Sequence, residues 1–82
     1  MNYTIAHRLV GYDPDTERVA FQKEIPDNLL RTVLSLVETD KDDSDVFDSY
    51  PVTRSAARDI LGMIHAEARD LDYFLEGYQR SF

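Results

Sequence analysis

The sequence has no cysteine and no tryptophan, only three glycines and three prolines, and nine cationic side chains among 82 residues. Without cysteine, neither a disulfide framework nor a thiolate zinc site can form. Three glycines leave no glycine-rich loop that could cradle a phosphate. The nine Lys and Arg are scattered and face sixteen Asp and Glu, a net charge of −7. Because phosphates and anionic lipids are bound by clustered cations, we expect neither a nucleic acid nor a membrane as a partner.

Long hydrophobic runs are also missing. No apolar stretch approaches the length of a membrane span, and residues 1–10 lack both a basic leader and a continuous apolar segment. We therefore expect no signal peptide and a cytoplasmic location. At 82 residues the chain is interpreted as a single small domain, residues 1–82. Its hydrophobic fraction of 43%, with five Tyr and four Phe, is typical of a folded core rather than of disorder.

The first 25 residues have the pattern of an antiparallel β-hairpin. Apolar and polar residues alternate from Tyr3 to Tyr12 and again from Val19 to Ile25, which predicts two strands. The tetrapeptide Asp13-Pro14-Asp15-Thr16 between them has turn chemistry, since Pro14 presets φ and Asp13 can cap the turn through its side chain.

Two helices are predicted next. Apolar residues at helical spacing follow Pro26, which suits a helix start, and predict a first helix from about Pro26 to Val37. Thr53 is a natural N-cap for a second helix, whose buried side includes Ala57 and Leu61.

The C-terminal part has two interpretations. Aromatic residues in Asp72–Tyr78 favour a third strand after a helix that ends near His65 or Ala66. The alternative is one long C-terminal helix, because apolar residues also recur at spacings of four and three from Ala57 to Phe82. We predict an α+β, two-layer fold with an N-terminal antiparallel β-hairpin, two helices and a third C-terminal strand, with the hairpin, one helix and a long C-terminal helix as the alternative.

Short motifs along the chain resemble a family of short uncharacterised bacterial proteins, a domain of unknown function. The motifs are His7-Arg8-Leu9-Val10 leading into Asp13-Pro14-Asp15-Thr16, Glu24-Ile25-Pro26, Ser49-Tyr50-Pro51-Val52, and the C-terminal Asp72-Tyr73-Phe74-Leu75-Glu76. The resemblance spans nearly the whole chain. It implies a small α+β unit and assigns no activity.

Negative charge is concentrated between the two predicted helices. The segment Glu38–Asp48 holds six acidic residues and one lysine, so it carries five of the seven net negative charges. Self-repulsion keeps such a segment solvated and accessible to a cationic partner. We therefore predict a non-enzymatic protein-interaction module, inhibitor-like or immunity-like in its narrowest form, that binds a basic protein surface. The predicted partner-binding residues are Asp40, Asp42, Asp43, Asp45, Phe47, Asp48 and Tyr50.

A calcium loop is the metal-binding alternative for the same segment. Asp40, Asp42 and Ser44 occupy the first, third and fifth positions of an EF-hand-like register. The register fails at its sixth position, where Asp45 replaces the glycine of the sharp turn, and at its twelfth, where Pro51 replaces a bidentate Glu. We therefore favour a solvated acidic loop and expect no cofactor.

Two further function classes stay open. A small enzyme or ligand-binding domain would use carboxylates, Tyr and His on the sheet face, with His7, Glu76 and the C-terminal tyrosines as candidates. Neither of the two histidines has a second ligand at a diagnostic spacing, so structural roles are favoured for both. A dimeric scaffold is the other class, in which a C-terminal strand edge around Gly77 pairs with a second copy.

Overall fold

A computed structural model describes residues 3–43 and 45–81, and these form one antiparallel sheet of four strands and two helices. The elements are β1 (Tyr3–Tyr12), β2 (Val19–Glu24), α1 (Asp27–Leu34), β3 (Ser49–Pro51), α2 (Arg54–Met63) and β4 (Asp72–Ser81). The strand order is β2-β1-β4-β3. The predicted α+β fold is confirmed, whereas the arrangement of its elements differs in part from the prediction.

The N-terminal hairpin forms where the alternating pattern predicts it. β1 and β2 pair antiparallel, with Arg8 opposite Glu24. In the connecting turn, the Asp13 Oδ1 atom accepts hydrogen bonds from the backbone N–H groups of Asp15 at 2.8 Å and Thr16 at 3.2 Å. Asp13 therefore caps the turn through its side chain, as its position indicates.

The first helix is shorter than predicted. α1 begins at Asp27, directly after Pro26, and ends at Leu34 rather than at Val37. The next residues form a tighter turn, in which the Val37 N–H donates to the Leu34 carbonyl over three positions. Val37 is nevertheless buried. The apolar spacing therefore identified the residues that enter the core but not the end of the regular helix.

The second helix ends in a motif that excludes a long C-terminal helix. At its start, the Thr53 Oγ1 accepts the Ala56 N–H at 3.1 Å, which confirms the predicted N-cap. At its end, His65 has a φ of 57°, and the Ala66 N–H donates to the Leu61 carbonyl at 2.8 Å. This is the bond pattern of a Schellman motif, which reverses the chain direction. The alternative interpretation, one long C-terminal helix, was therefore wrong.

The C-terminal strand lies inside the sheet. β4 pairs with β1 along its whole length, from Tyr3 opposite Ser81 to Tyr12 opposite Asp72. Its other side pairs with the short strand β3, which the sequence did not predict. The β3 pairing covers Phe74 to Glu76 and ends one residue before Gly77, so dimerisation through the strand edge around Gly77 stays a prediction.

Both helices cover the same face of the sheet. Leu9 of β1 and Leu75 of β4 are opposite each other, are fully buried, and belong to one core cluster with Val33 of α1 and Ile60 of α2. Since side chains alternate along a strand, the neighbouring residues of β1 and β4 project to the other face. That second face carries no helix of the described chain. No helix in residues 3–43 and 45–81 is long and apolar enough to cross a membrane.

Candidate functional site

The acidic loop, residues 38–48, connects the turn after α1 to β3 and is built from two consecutive turns. The Asp43 N–H donates to the Asp40 carbonyl at 3.1 Å, and the Val46 N–H donates to the Asp43 carbonyl at 3.0 Å. The Asp40 side chain supports the first turn, since its Oδ1 accepts the Asp42 N–H at 2.9 Å. Where the structure describes it, on both sides of Ser44, the loop backbone is therefore held by hydrogen bonds despite its charge.

Asp43 organises the second half of the acidic loop. Its Oδ1 accepts the Phe47 N–H at 3.0 Å, and its Oδ2 accepts the Asp48 N–H at 2.9 Å and the Tyr50 hydroxyl at 2.7 Å. These bonds, the Phe47 N–H foremost, hold the pKa of the Asp43 carboxyl below its ordinary value, because they stabilise its charged form. Asp43 and Tyr50 were predicted to contact a partner, but here their polar atoms bind each other and the loop backbone.

The acidic loop is also attached to the sheet. The Nε2 of His7, a buried residue on β1, lies 3.0 Å from the carbonyl oxygen of Asp45. Since a carbonyl only accepts, Nε2 carries the proton and donates it. Opposite His7 on β4 is Gly77, and the loop backbone at Val46 and Phe47 passes directly over it. A histidine and a glycine on paired strands thus hold the loop against the sheet.

The remaining acidic side chains of the loop face solvent. Asp40, Asp42, Asp45 and Asp48 are all exposed. Among the described residues, the side-chain ion pairs are Arg8–Glu76, Arg54–Asp70 and Arg80–Glu24, so none involves a carboxylate of the acidic loop.

An aromatic side chain stands among these carboxylates. Phe47 is 44% exposed, although its N–H is held by Asp43. The structure therefore divides the predicted site into two sets. Asp43 and Tyr50 build the loop, and the residues presented on its surface are Asp40, Asp42, Asp45, Phe47 and Asp48.

Sequence reasoning missed the two residues that attach the loop. His7 was assigned a structural role without a partner, and its partner Asp45 lies 38 positions away. Gly77 did carry a signal, because a glycine within a strand pattern often marks a close approach of another backbone segment. The identity of that segment could not be obtained from sequence alone.

The described residues include only two of the three ligands proposed for the calcium-loop alternative. Ser44, the third of its proposed ligands, lies outside the described residues. Within residues 3–43 and 45–81, no three His, Asp or Glu side chains converge in an arrangement that could hold a metal ion.

The helix-free face of the sheet carries a polar cluster centred on Glu76. Its Oε2 accepts the Tyr12 hydroxyl at 2.9 Å and the Ser49 hydroxyl at 3.2 Å, and its Oε1 lies 3.7 Å from the Arg8 guanidinium. The hydrogen bond to Glu76, together with desolvation, raises the pKa of the Tyr12 hydroxyl. A tyrosine whose pKa is raised is a hydrogen-bond donor rather than a base.

The residues proposed for a sheet-face enzyme lie on two different faces of the sheet. Because side chains alternate along β1 and β4, Arg8 and Glu76 project to the helix-free face, whereas His7 projects with Leu9 to the helix side. His7 and Glu76 therefore do not meet in one site.

Two of the clefts on the surface of the described chain are relevant to a small-molecule site. The smaller, about 360 Å³, lies beside Tyr12 and Phe74, whose rings meet edge to face, and it is bordered by three carboxylates. The larger, about 510 Å³, lies between α2 and residues 68–74. Neither is lined by His7 or Glu76.

Comparison with known proteins finds one relationship. Neither the curated proteins nor the solved structures include a match to this chain. A family model does match residues 7–76, which is most of the 82-residue chain, and it supports the resemblance to a domain of unknown function, while the bacterial origin stays a prediction. The chain belongs to the family described as a domain of unknown function, DUF7683.

Proposed function

We propose that this chain is a non-enzymatic interaction module whose acidic loop, residues 38–48, binds a basic protein surface. The observation that carries the proposal is the exposure of Phe47, 44% of its surface, near the end of a loop whose carboxylates form no ion pair with a cation of the described chain. Aromatic residues are enriched at protein interfaces, where a few well-packed side chains contribute most of the binding energy.

In this proposal the loop carboxylates and the Phe47 ring contribute differently to binding. The carboxylates of Asp42, Asp45 and Asp48 attract a cationic partner and accelerate encounter, an effect that salt screens. Phe47 then inserts between the aliphatic parts of the partner's Arg and Lys side chains or into an apolar pocket beside them. The contact is therefore aromatic at its centre and ionic at its rim.

The order of the loop supports the same role. Binding by a mobile loop loses affinity to the entropy of ordering it. Here the Asp43 hydrogen bonds, the His7 bond to Asp45 and the backbone contact at Gly77 hold the described part of the loop, which lowers that entropic cost. A narrower form of the proposal is an inhibitor or immunity-like protein that covers the cationic site of a nuclease by imitating phosphate charge.

The test immobilises the wild-type chain and three variants of it, and compares which proteins each one retains. One bait replaces Asp42, Asp45 and Asp48 with Asn, and a second carries Phe47→Ser. The matched control removes three exposed acids elsewhere, through Asp15→Asn, Asp59→Asn and Glu67→Gln. We expect a basic protein to bind the wild type and the control and to be lost from both loop variants.

The partner's affinity is then measured from about 50 mM to about 500 mM salt. We expect the dissociation constant to rise with salt, and to rise by about tenfold or more on Phe47→Ser. Binding that ignores ionic strength, or that survives both loop changes, would refute the proposal. A recovered nuclease that stays active in the complex would refute only its inhibitor form.

A further inference from the structure

The larger cleft has a charge character opposite to that of the whole chain. It is lined by Arg54, Arg58 and Arg69, three of the nine cationic side chains in a chain of net charge −7. Two carboxylates, Asp70 and Asp72, also line it. The cleft is therefore a locally cationic cavity, although not a purely cationic one.

The arginines of α2 share one stripe of the helix with buried apolar residues. Arg54, Ala57, Arg58 and Leu61 lie on one stripe of the helix, at spacings of three, one and three. Ala57 and Leu61 are buried and form the inner wall of the cleft, while Arg54 and Arg58 are exposed at its rim. The cavity thus combines an apolar inner wall with guanidinium groups at the opening.

The opposite wall contributes an aromatic surface and a carboxylate. Tyr73 of β4 lines the cleft from the sheet side, whereas the Phe74 ring projects to the other face of the sheet, where it meets Tyr12. The Asp70 carboxylate lies 2.9 Å from the Arg54 guanidinium and joins the two walls, with both side chains about four-fifths exposed. Such exposed pairs contribute little to stability, so an external anion can replace Asp70 at Arg54.

Arg58 and Arg69 differ in how they are engaged. Within the described chain no carboxylate lies at ion-pair distance from Arg58. The Arg69 Nη1 donates to the Ala20 carbonyl at 2.9 Å, which fixes that side chain to β2. Arg54 and Arg58, one turn apart, are therefore the two groups positioned to hold an oxyanion.

We infer that this cleft is a binding site for a small organic anion, with a carboxylate or phosphate head group and an apolar or planar body. The head group binds between Arg54 and Arg58, because guanidinium groups match the geometry of planar and tetrahedral oxyanions. The body contacts Leu61 on the inner wall and Tyr73 on the opposite wall. A volume of about 510 Å³ is within the range of small-molecule sites. This site shares no residue with the acidic loop, so the two proposals stand or fall separately.

The first measurement is a titration followed by backbone amide chemical shifts. The probes are benzoate and phenyl phosphate, with benzamide as the neutral match and inorganic phosphate as the head group alone. We expect saturable shifts confined to residues 51–73 for both organic anions, and weaker binding for benzamide and for inorganic phosphate. The stronger of the two organic probes identifies the head group. Benzamide binding as tightly as benzoate, or no saturable shift with either anion, would overturn the inference.

Variants then separate the arginines from general charge. Arg54→Gln with Arg58→Gln should weaken binding by about tenfold or more, because the charge-assisted bonds are lost. The control, Arg18→Gln with Arg31→Gln, removes two exposed arginines elsewhere and should leave binding unchanged. Asp70→Asn removes the internal competitor for Arg54 and should strengthen binding severalfold. Unchanged binding in the Arg54 and Arg58 variant, or weaker binding on Asp70→Asn, would overturn the inference.

Discussion

Gly77 of β4 and Val46 of the acidic loop are in backbone contact, since a Cβ on Gly77 would stand 2.5 Å from the Val46 carbonyl oxygen. The same Cβ would lie 2.7 Å from the Cα of Phe47. Backbone atoms cannot move aside as the tip of a flexible side chain can. The absence of a side chain at this one position of β4 is therefore what allows the acidic loop to rest on the sheet.

Gly77→Ala should displace the loop and destabilise the fold by about 1 to 3 kcal/mol, the usual cost of overpacking. Gly62→Ala is the matched control, because Gly62 lies in α2 and a Cβ there meets nothing within 4 Å. Alanine is the better helix former, so that variant should be more stable by about 0.5 to 1 kcal/mol. Chemical denaturation of both variants measures the two values. Equal stability of Gly77→Ala and the wild type would show that the contact does not constrain the loop.

His7→Leu should weaken the same attachment from the β1 side. It removes the donor to the Asp45 carbonyl, which is expected to cost about 0.5 to 1.5 kcal/mol for a hydrogen bond of this kind. His7→Gln keeps an N–H donor near the same place and should cost less. Hydrogen exchange at the Phe47 and Asp48 amides, both bound by Asp43, reports whether the loop itself loosens. Loss of global stability without faster exchange at those amides would contradict an attachment role.

Ionisation of the Asp43 carboxyl should make the stability of the loop depend on pH. Its pKa is lowered in the folded chain by the Phe47 and Asp48 amides and the Tyr50 hydroxyl, relative to an unfolded value of about 3.9. The stability that it contributes is therefore present above about pH 4 and is lost as the pH falls through the lower, folded pKa. Asp43→Asn should be less stable than the wild type at neutral pH, and the difference should shrink in acid.

Asp45→Asn is the control for that comparison, because Asp45 also lies in the loop and its side chain is exposed. It removes the same charge without removing the hydrogen bonds of Asp43, so it should leave stability at neutral pH unchanged or slightly higher through reduced self-repulsion. Unfolding curves from neutral to acidic pH measure both variants. A constant difference between Asp43→Asn and the wild type over that range would contradict the role of the ionised carboxyl.

Local sequence signals predicted those parts of the fold that depend on near neighbours. The alternation of β1 and β2, the Asp13 turn and the Thr53 N-cap each depend on residues within a few positions. The short strand β3 had no such signal. It has only three residues, one of them Pro51, and it exists because β4 provides its hydrogen-bonding partner. A segment of that length has no periodicity to detect.

The C-terminal region carries two periodicities, one of a helix and one of a strand. Residues after His65 fit a helical spacing as well as a strand pattern, and local propensity did not decide between them. The strand is favoured instead by the pairing of β4 with β1 along ten residues and by the left-handed backbone of His65. Similarly, the acidic loop was identified by composition, but only the folded backbone separates Asp43, whose carboxylate binds the loop backbone, from Asp45, whose side chain faces solvent.

Tyrosine ionisation should report the polar network on the helix-free face. The Tyr78 hydroxyl donates to Glu24, which raises the pKa of Tyr78 and lowers that of Glu24, and the Arg80 Nη1 binds the same carboxylate at 2.8 Å. The pKa of Tyr12 is raised in the same way by Glu76. A raised folded pKa stabilises the fold fully below the unfolded value of about 10, and this stabilisation is lost as the pH rises through the folded pKa. Tyrosinate absorbance should therefore appear at higher pH in the native chain than in the urea-unfolded chain.

Tyr78→Phe separates this network from a general alkaline transition. It removes one late-titrating hydroxyl, and because its hydrogen bond is the largest cause of the low Glu24 pKa, that pKa should rise toward its ordinary value while Arg80 still holds it partly down. Carboxyl titration by NMR measures Glu24 in both chains. Since Glu24 lies on β2 and Tyr78 on β4, with β1 between them, an unchanged Glu24 pKa would mean that the two side chains do not meet across β1 in solution. The face would then be a row of separate solvated side chains rather than a connected network.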